Sequence, residues 1–240
     1  MTEKAQNADA TIPVSPSEPT DLELAELEEQ MLVRVKKREE MLESGGIPYA
    51  LTLPITHTIS QVRSAYPDLE AGTETEDVVG IAGRVMHFRD TGKLVFAALQ
   101  SGDGTRIQIM LSIAEVGEDA LTEFKKLVDL GDIVFIEGRV ISSKRGELSI
   151  FAKNWQMASK SLRALPNLHN ELGEEFRVRH RYLDLIVRER AREMVKTRAA
   201  VNASLRKTFA SRNYTEVETP MLQVIHGGAA ARPFSTYSNA

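Results

Sequence analysis

The sequence predicts a protein of mixed α and β structure with a small β-barrel near its middle. Between residues 78 and 155, five short runs alternate apolar and polar residues, which is the period of a strand with one buried face. Gly, Asp and Ser separate these runs as turn formers. A segment with helical periodicity, 114–128, lies between the third and the fourth run. A generic small barrel or a sandwich is the alternative that this pattern leaves open.

The order of the five predicted strands favours one type of barrel. The first three are VVGIAGRVMHF, LVFAALQ and TRIQIML, and the turn SGDG joins the second to the third. The last two are DIVFIEGRVI and ELSIFAKNW, which the turn SSKRG joins. Five strands with a helix before the fourth is the order of the OB fold, a fold that often binds single-stranded nucleic acid.

Strand alternation also predicts which side chains point away from the barrel interior. Val95 and Ala97 suit the interior, so Phe96 between them faces outward. An outward aromatic ring can stack on an unpaired base, and amide or carboxylate groups can recognise base edges. The alternative is a register reversed by one residue, which would make Phe96 a core residue. The predicted outer face includes the following side chains: Arg84, Arg89, Phe96, Gln108 and Glu147.

Helices are predicted before the barrel, after a disordered tail over residues 1–20. The first runs from Asp21 to Ser44, with acidic residues early and basic residues late, which suits the helix dipole. Its VRVKKR segment either contacts phosphates or forms a solvated helix face. A short second helix is predicted over 59–66, with Thr58 or Ser60 as its cap.

The region after the barrel predicts two more helices and a strand. The basic segment EEFRVRHRYLDLI, 174–186, either touches RNA or links two domains. A longer helix, 191–212, has an apolar stripe that is either ordinary core or a contact with a two-fold partner; its members are Met194, Val201, Leu205 and Phe209. The strand TEVETPML follows, closed by Pro220. The predicted organisation is a tail 1–20, a helical extension and connector 21–77, the barrel 78–158, a linker 159–186 and a second domain beginning at 187.

Composition excludes several classes of protein. The 240 residues include no cysteine, which excludes disulfide scaffolds, thiolate metal sites and cysteine nucleophiles. No apolar run approaches the roughly 20 residues of a membrane-spanning helix, and the N-terminus has no signal-peptide core. We therefore expect a cytoplasmic protein without a membrane partner. The net charge is −4, so contacts with nucleic acid must use local basic patches.

Six segments in order carry a resemblance to a known family. They are GRVMHFRDTGKLVFAALQSGDGTRIQIML, DLGDIVFIEGRVISSKRGELSI, KSLRALP, RHRYLDLI, YTEVETPML and GGAAARPFSTYSNA. Together they resemble the N-terminal portion of class II lysyl-tRNA synthetases, over about residues 23–240. Aspartyl and asparaginyl synthetases share the barrel and the layout of motif 1, and RHRYLDL followed by GGAAARPF is typical of the lysine branch.

The resemblance implies a function and a set of roles. The barrel would bind the tRNA anticodon, with Phe96 stacking on the central base and with Gln108, Glu147 and Arg89 as further contacts. Gly228 matches a position where the family's backbone meets lysine. Motif 1 would begin the catalytic domain, an antiparallel sheet with helices, and form a homodimer interface that includes Met194, Val201, Leu205 and Pro220.

The same resemblance implies what this chain lacks. Motifs 2 and 3, which serve ATP and Mg²⁺ in the full-length enzyme, are expected beyond residue 240. We therefore expect no catalytic residue, no metal ligand and no bound cofactor in this chain, and no activity from it alone. The alternatives are a non-catalytic OB module that binds tRNA or single strands, and a fragment of an aspartyl- or asparaginyl-type synthetase.

Overall fold

A computed structural model of the chain describes residues 29–166 and 173–220, together with positions 232, 234, 236 and 237. The chain divides into two compact units, residues 1–189 and residues 190–240. The predicted tail over residues 1–20 lies outside the described residues, as does the predicted start of the first helix.

The described elements follow the predicted order. Two helices precede the barrel: α1 (Glu29–Glu43) and α2 (Ile59–Ala65). The barrel and its inserted helices are β1 (Glu74–Asp90), β2 (Leu94–Gln100), β3 (Arg106–Ser112), α3 (Ile113–Val116), α4 (Glu118–Leu127), β4 (Ile133–Ser142) and β5 (Leu148–Ser159). After it come α5 (Glu174–Arg179), α6 (Arg181–Val187) and α7 (Glu189–Ser211).

The five strands close into a barrel in the order β1-β2-β3-β5-β4. Strands β3 and β5 pair in parallel, and the four other pairings are antiparallel. Helices α3 and α4 connect β3 to β4, as the OB order requires. The predicted barrel type is therefore confirmed.

Period-2 alternation is confirmed in β2 and β3, whose inward residues are completely buried. Those residues are Val95, Ala97, Leu99, Ile107, Ile109 and Leu111. Helix α4 covers one end of the barrel with Phe124, whose ring packs edge-on against Trp155 at 5.0 Å between centroids. Helix α2 packs against the barrel through Ile59 and Val62, both buried. Its capping box joins Thr58 and Gln61, which confirms Thr58 as the cap.

A β-bulge changes the direction of the side chains along β1. Val85 pairs with Leu99, but the next pair is His87 with Ala98, so Met86 is the extra residue. Val85 is buried, and after the bulge Phe88 packs against the core. Before the bulge the odd-numbered residues, such as Val85, therefore face the interior. After it the even-numbered residues, such as Phe88, do so.

Two predicted helices are each divided in two. The segment 114–128 forms α3 and α4 because Gly117 between them has a φ of 86°, a conformation that favours glycine. The segment 174–186 forms α5 and α6, since His180 between them has the non-helical angles φ −114° and ψ 53°. Helical periodicity did not reveal either break, because a one-residue interruption leaves the apolar spacing almost unchanged.

Helix α7 ends in a Schellman motif. Asn213 has a φ of 64°, and its N–H donates to the carbonyl of Ala210 at 3.1 Å. The N–H of Tyr214 donates to the carbonyl of Phe209, also at 3.1 Å. The rings of Phe209 and Tyr214 then meet edge to face, 5.5 Å between centroids.

The strand predicted over TEVETPML is wrong for its described part. Residues 214–220 form neither a strand nor a helix, and all of them are exposed. A strand needs a neighbour for its backbone N–H and C=O groups, and no described residue of 190–240 supplies one. Pro220 lies at the end of this exposed segment.

A buried ion network links three segments: the connection between α4 and β4, the residue after β5, and helix α1. The ammonium of Lys160 is fully buried and contacts Asp132 and Asp129, each at 2.6 Å, and the carbonyl of Leu127 at 2.8 Å. Asp132 is also fully buried. Lys37 of α1 joins the network at 2.7 Å from Asp129. Burial tends to raise the pKa of Asp129, but the hydrogen bonds from Lys160 and Lys37 prevail and hold that pKa below its usual value.

The basic segment of α1 packs on the protein itself. Arg34 is buried and donates to the carbonyl of Ser161 at 3.2 Å. Lys37 belongs to the network around Lys160, and the guanidinium of Arg38 lies 5.8 Å from the centre of the Tyr49 ring. Three of the basic side chains in VRVKKR therefore have intramolecular partners. A simple solvated helix face does not describe this segment.

Candidate nucleic-acid interface

The outer face of the barrel contains a cleft of about 550 Å³ beside strands β1, β2 and β3. Its walls include all four residues predicted to contact the anticodon: Arg89, Phe96, Gln108 and Glu147. Strand β2 contributes Phe96, β3 contributes Gln108, and Glu147 lies in the turn directly before β5. The cleft therefore combines an aromatic ring, an amide, a carboxylate and a guanidinium.

Arg89 and Phe96 are cross-strand neighbours on this face. They pair in register between β1 and β2, and the guanidinium carbon lies 5.1 Å from the ring centroid. This distance is typical of a cation–π contact. Phe96 is half-buried, whereas its neighbours Val95 and Ala97 are buried in the core. The in/out assignment of β2 is therefore confirmed, and the reversed register is excluded.

A buried serine links the amide and the carboxylate. The Nε2 atom of Gln108 donates to Oγ of Ser149 at 2.9 Å, and that hydroxyl donates to the main-chain carbonyl of Glu147 at 2.9 Å. Since Ser149 uses its only hydrogen on Glu147, it must accept from the NH₂ group of Gln108. This leaves Oε1 of Gln108, to which no described residue donates, as an acceptor at the cleft.

A basic pair lies at the rim of the cleft. Lys144 and Arg145 occupy the turn between β4 and β5, and both are exposed. The predicted site did not include them, nor His87 and Met110, which also line the cleft. The signal for the basic pair was present in the turn SSKRG, because local basic clusters mark contacts with phosphates.

Arg84 does not belong to the cleft, although it was predicted on the same outer face. Its guanidinium donates to the carbonyl of Gly131 at 2.6 Å. Burial lowers the pKa of Arg84, against the opposing effect of the Asp132 carboxylate. The bulge at Met86 separates Arg84 from Arg89 along β1, and Arg84 pairs with Gln100 at the other end of β2.

The second unit contains the predicted apolar stripe of α7. Met194, Val201, Leu205 and Phe209 are each about half exposed.

Gly228, the predicted contact for lysine, lies outside the described residues. Among the described residues, no group of three or more His, Asp or Glu side chains could hold a metal ion. No helix there is long and apolar enough to span a membrane.

Comparisons with known proteins agree with this geometry. Residues 79–158 match the family of OB-fold nucleic acid binding domains, and residues 173–240 match the class II tRNA synthetases for D, K and N. A lysine–tRNA ligase of Kineococcus radiotolerans is 58% identical to this chain over 220 residues. Among the three amino acids, this similarity indicates lysine. The chain belongs to the class II lysyl-tRNA synthetases.

Other lysyl-tRNA synthetases extend the similarity. The lysine–tRNA ligases of Mycolicibacterium gilvum and Synechococcus sp. are 54% and 42% identical over 226 and 208 residues. The three alignments cover 92%, 94% and 86% of this chain, and 44%, 44% and 41% of the relatives. The chain therefore spans less than half the length of the curated relatives it matches.

Proposed function

We propose that this chain binds the anticodon loop of a lysine tRNA and serves a lysine–tRNA ligase, which uses ATP to attach lysine to that tRNA. The observation that carries the proposal is the cleft on the barrel. Its ring, amide, carboxylate and guanidinium form one surface, in a chain that belongs to the lysyl-tRNA synthetases.

Each part of the cleft has a distinct task in this proposal. The ring of Phe96 stacks on an unpaired base, which is worth about 1–3 kcal/mol per base. Gln108 and Glu147 form hydrogen bonds with the edge of that base. Lys144 and Arg145 attract the phosphates on either side without regard to sequence.

The chemical step belongs to the full-length enzyme. There, ATP and Mg²⁺ would activate lysine as lysyl-adenylate before transfer to the tRNA, and Gly228 would meet the lysine substrate. This chain spans 44% of the length of the lysine–tRNA ligase of Kineococcus radiotolerans. We therefore expect no lysyl-adenylate from the purified chain, and we propose that the complete enzyme acts in the cytoplasm.

Dimerisation is the proposed role of the second unit. The exposed stripe of α7, with Met194, Val201 and Leu205, would pack against a second copy, and Pro220 would end the same motif. Exposed apolar side chains in one contiguous stripe favour a protein partner. Sedimentation of the chain and of a Leu205→Glu variant tests this role: the wild type should dimerise and the variant should not.

Hydrogen exchange with and without the anticodon stem-loop of a lysine tRNA tests the proposed interface. Binding should slow exchange in residues 94–100 and 143–149, which surround the cleft. Exchange around Lys160, on the buried network, should stay the same. Protection confined to segments outside the cleft would overturn the proposal.

A further inference from the structure

Glu147 has one carboxylate oxygen engaged and one available. Its Oε1 atom accepts from Nη2 of Arg63 at 2.9 Å, and no described side chain donates to Oε2. The main chain of Glu147 is fixed as well, because its N–H donates to the hydroxyl of Ser143 at 3.0 Å and its carbonyl accepts from the N–H of Ser143 at 2.9 Å. The position of Glu147 is therefore determined before any ligand arrives.

Arg63 reaches Glu147 from outside the cleft and is itself anchored. Its Nε donates to the main-chain carbonyl of Arg106 at the start of β3. It lies on α2, which Ile59 and Val62 hold against the barrel. A guanidinium with two fixed acceptors has a defined plane, so Arg63 sets the orientation of the carboxylate that it binds.

We propose that Arg63 is a positioning residue that aims Oε2 of Glu147 at the ring nitrogen of the bound base and so determines which base is accepted. The inference rests on the proposed function. Uracil and guanine carry an N–H at the centre of the Watson–Crick edge, whereas cytosine and adenine carry a lone pair there. A carboxylate oxygen accepts a hydrogen bond from this N–H of uracil or guanine. The lone pair of cytosine or adenine repels it.

The amide of Gln108 complements this acceptor. Ser149 accepts one of the two Nε2 hydrogens of Gln108, and Arg63 holds the carboxylate so that Oε2 is available. The edge of uracil carries one N–H between two carbonyl oxygens, so it matches one oxygen acceptor beside one N–H donor, which the second Nε2 hydrogen of Gln108 can supply. The central base of a lysine anticodon is uracil, whose N3–H meets this requirement.

The ion pair of Arg63 with Glu147 contributes little to folding. The two side chains are 40% and 52% exposed, and exposed pairs contribute little to stability. Replacement of Arg63 should therefore change recognition of the base while the melting temperature stays nearly the same. This separates a positioning role from a structural one.

The test measures Kd for two anticodon stem-loops that differ only in a central uracil or cytosine. For the wild type, the Kd ratio of the cytosine loop to the uracil loop should be at least about tenfold. Arg63→Met should bring the ratio close to one, and Glu147→Gln should do so too. The double variant should show no further loss. Arg63→Lys should not restore the ratio, because an ammonium lacks the rigid planar fork by which the guanidinium sets the orientation of the carboxylate.

Arg139→Met is the matched control. Arg139 also pairs with carboxylates on the barrel surface, Glu74 and Glu115, but does not line the cleft. This variant should keep the wild-type ratio. If Arg63→Met weakens both loops equally and Arg63→Lys restores binding, Arg63 acts only as a charge and the inference is overturned. If the wild type does not distinguish the loops, the proposed function fails, and the inference fails with it.

Discussion

The guanidinium carbon of Arg89 lies 5.1 Å from the centre of the Phe96 ring, on the outer face of the barrel. Val85 is buried, and Arg89 lies four positions further along the same strand. Without the bulge, strict alternation would have placed Arg89 on the inward face as well. The extra residue Met86 shifts the phase of β1 and brings Arg89 opposite Phe96. The bulge thus reverses the direction of the side chains that follow it on β1, and Arg89 is one of them.

Phe96→Ala should weaken binding of a lysine anticodon stem-loop by about 1–3 kcal/mol, or roughly 5- to 150-fold in Kd. The reason is the loss of the stacking surface, while the half-buried ring contributes little to the core. Titration and a thermal melt of the same variant measure both effects. A fall in stability of comparable size would mean that Phe96 acts as a core residue.

Phe151→Ala is the matched control for Phe96→Ala. Phe151 lies in the same row across the sheet, through the pairs Phe96 with Met110 and Met110 with Phe151. It also has an arginine over its ring, Arg139 at 5.6 Å, but it does not line the cleft. Its removal should leave the Kd for the stem-loop within about twofold of the wild-type value.

Lys144→Ala and Arg145→Ala should each reduce the salt dependence of binding. Each cation that neutralises a phosphate contributes about 0.7 to the slope of log K against log salt for single strands. Binding should weaken alike for cognate and altered loops, because phosphates carry no sequence information. Titration at several salt concentrations measures the slope. Lys153→Ala, exposed on β5 outside the cleft, should not change it.

Lys160→Met should destabilise the chain by about 3–5 kcal/mol. The substitution leaves the carboxylate of Asp132 buried without its cation. Lys37→Met is the matched control, because Lys37 is partly exposed and pairs with Asp129 alone. Its cost should be about 1 kcal/mol or less. Urea denaturation of both variants measures the difference, and equal costs would contradict the assigned role of Lys160.

The lowered pKa of Asp129 predicts a pH dependence of stability. Its ordinary pKa is 3.8, and the folded value lies below that. The carboxylate therefore stabilises the fold above about pH 4, and this contribution disappears as the pH falls through the folded pKa.

Asp129→Asn tests this dependence. The stability gap between wild type and variant should be full at pH 7 and should narrow below pH 3.8, the ordinary pKa of the group. The exposed Asp68, changed to Asn, serves as the control. A gap for Asp129→Asn that is the same at pH 3 and pH 7 would count against the ion network as its cause.

The barrel and most of its cleft were predictable because alternation is a local property. Val95, Ala97 and Leu99 determine the direction of Phe96 directly, and β3 determines Gln108 in the same way. The two helix breaks, at Gly117 and His180, were not predictable from apolar spacing. Gly117 carried a usable signal, since glycine often adopts a positive φ.

Features that depend on distant partners were beyond the sequence pattern. Nothing in the helical period of α1 indicates that Arg34 and Lys37 pack on the barrel, because their partners lie 127 and 92 residues away. The same holds for Arg63, whose partner Glu147 lies 84 residues further along. The predicted strand before Pro220 failed for a related reason, since a strand exists only where a neighbour pairs with it.

The measurement that tests the central claim most directly is a titration of the full chain at fixed salt with two anticodon stem-loops. One is that of a lysine tRNA, and the other carries a different central base. The cleft of Phe96, Gln108 and Glu147 predicts tighter binding to the lysine loop, lost on the base change. Equal binding to both loops, weakening alike as salt rises, would contradict anticodon recognition and indicate a nonspecific single-strand module.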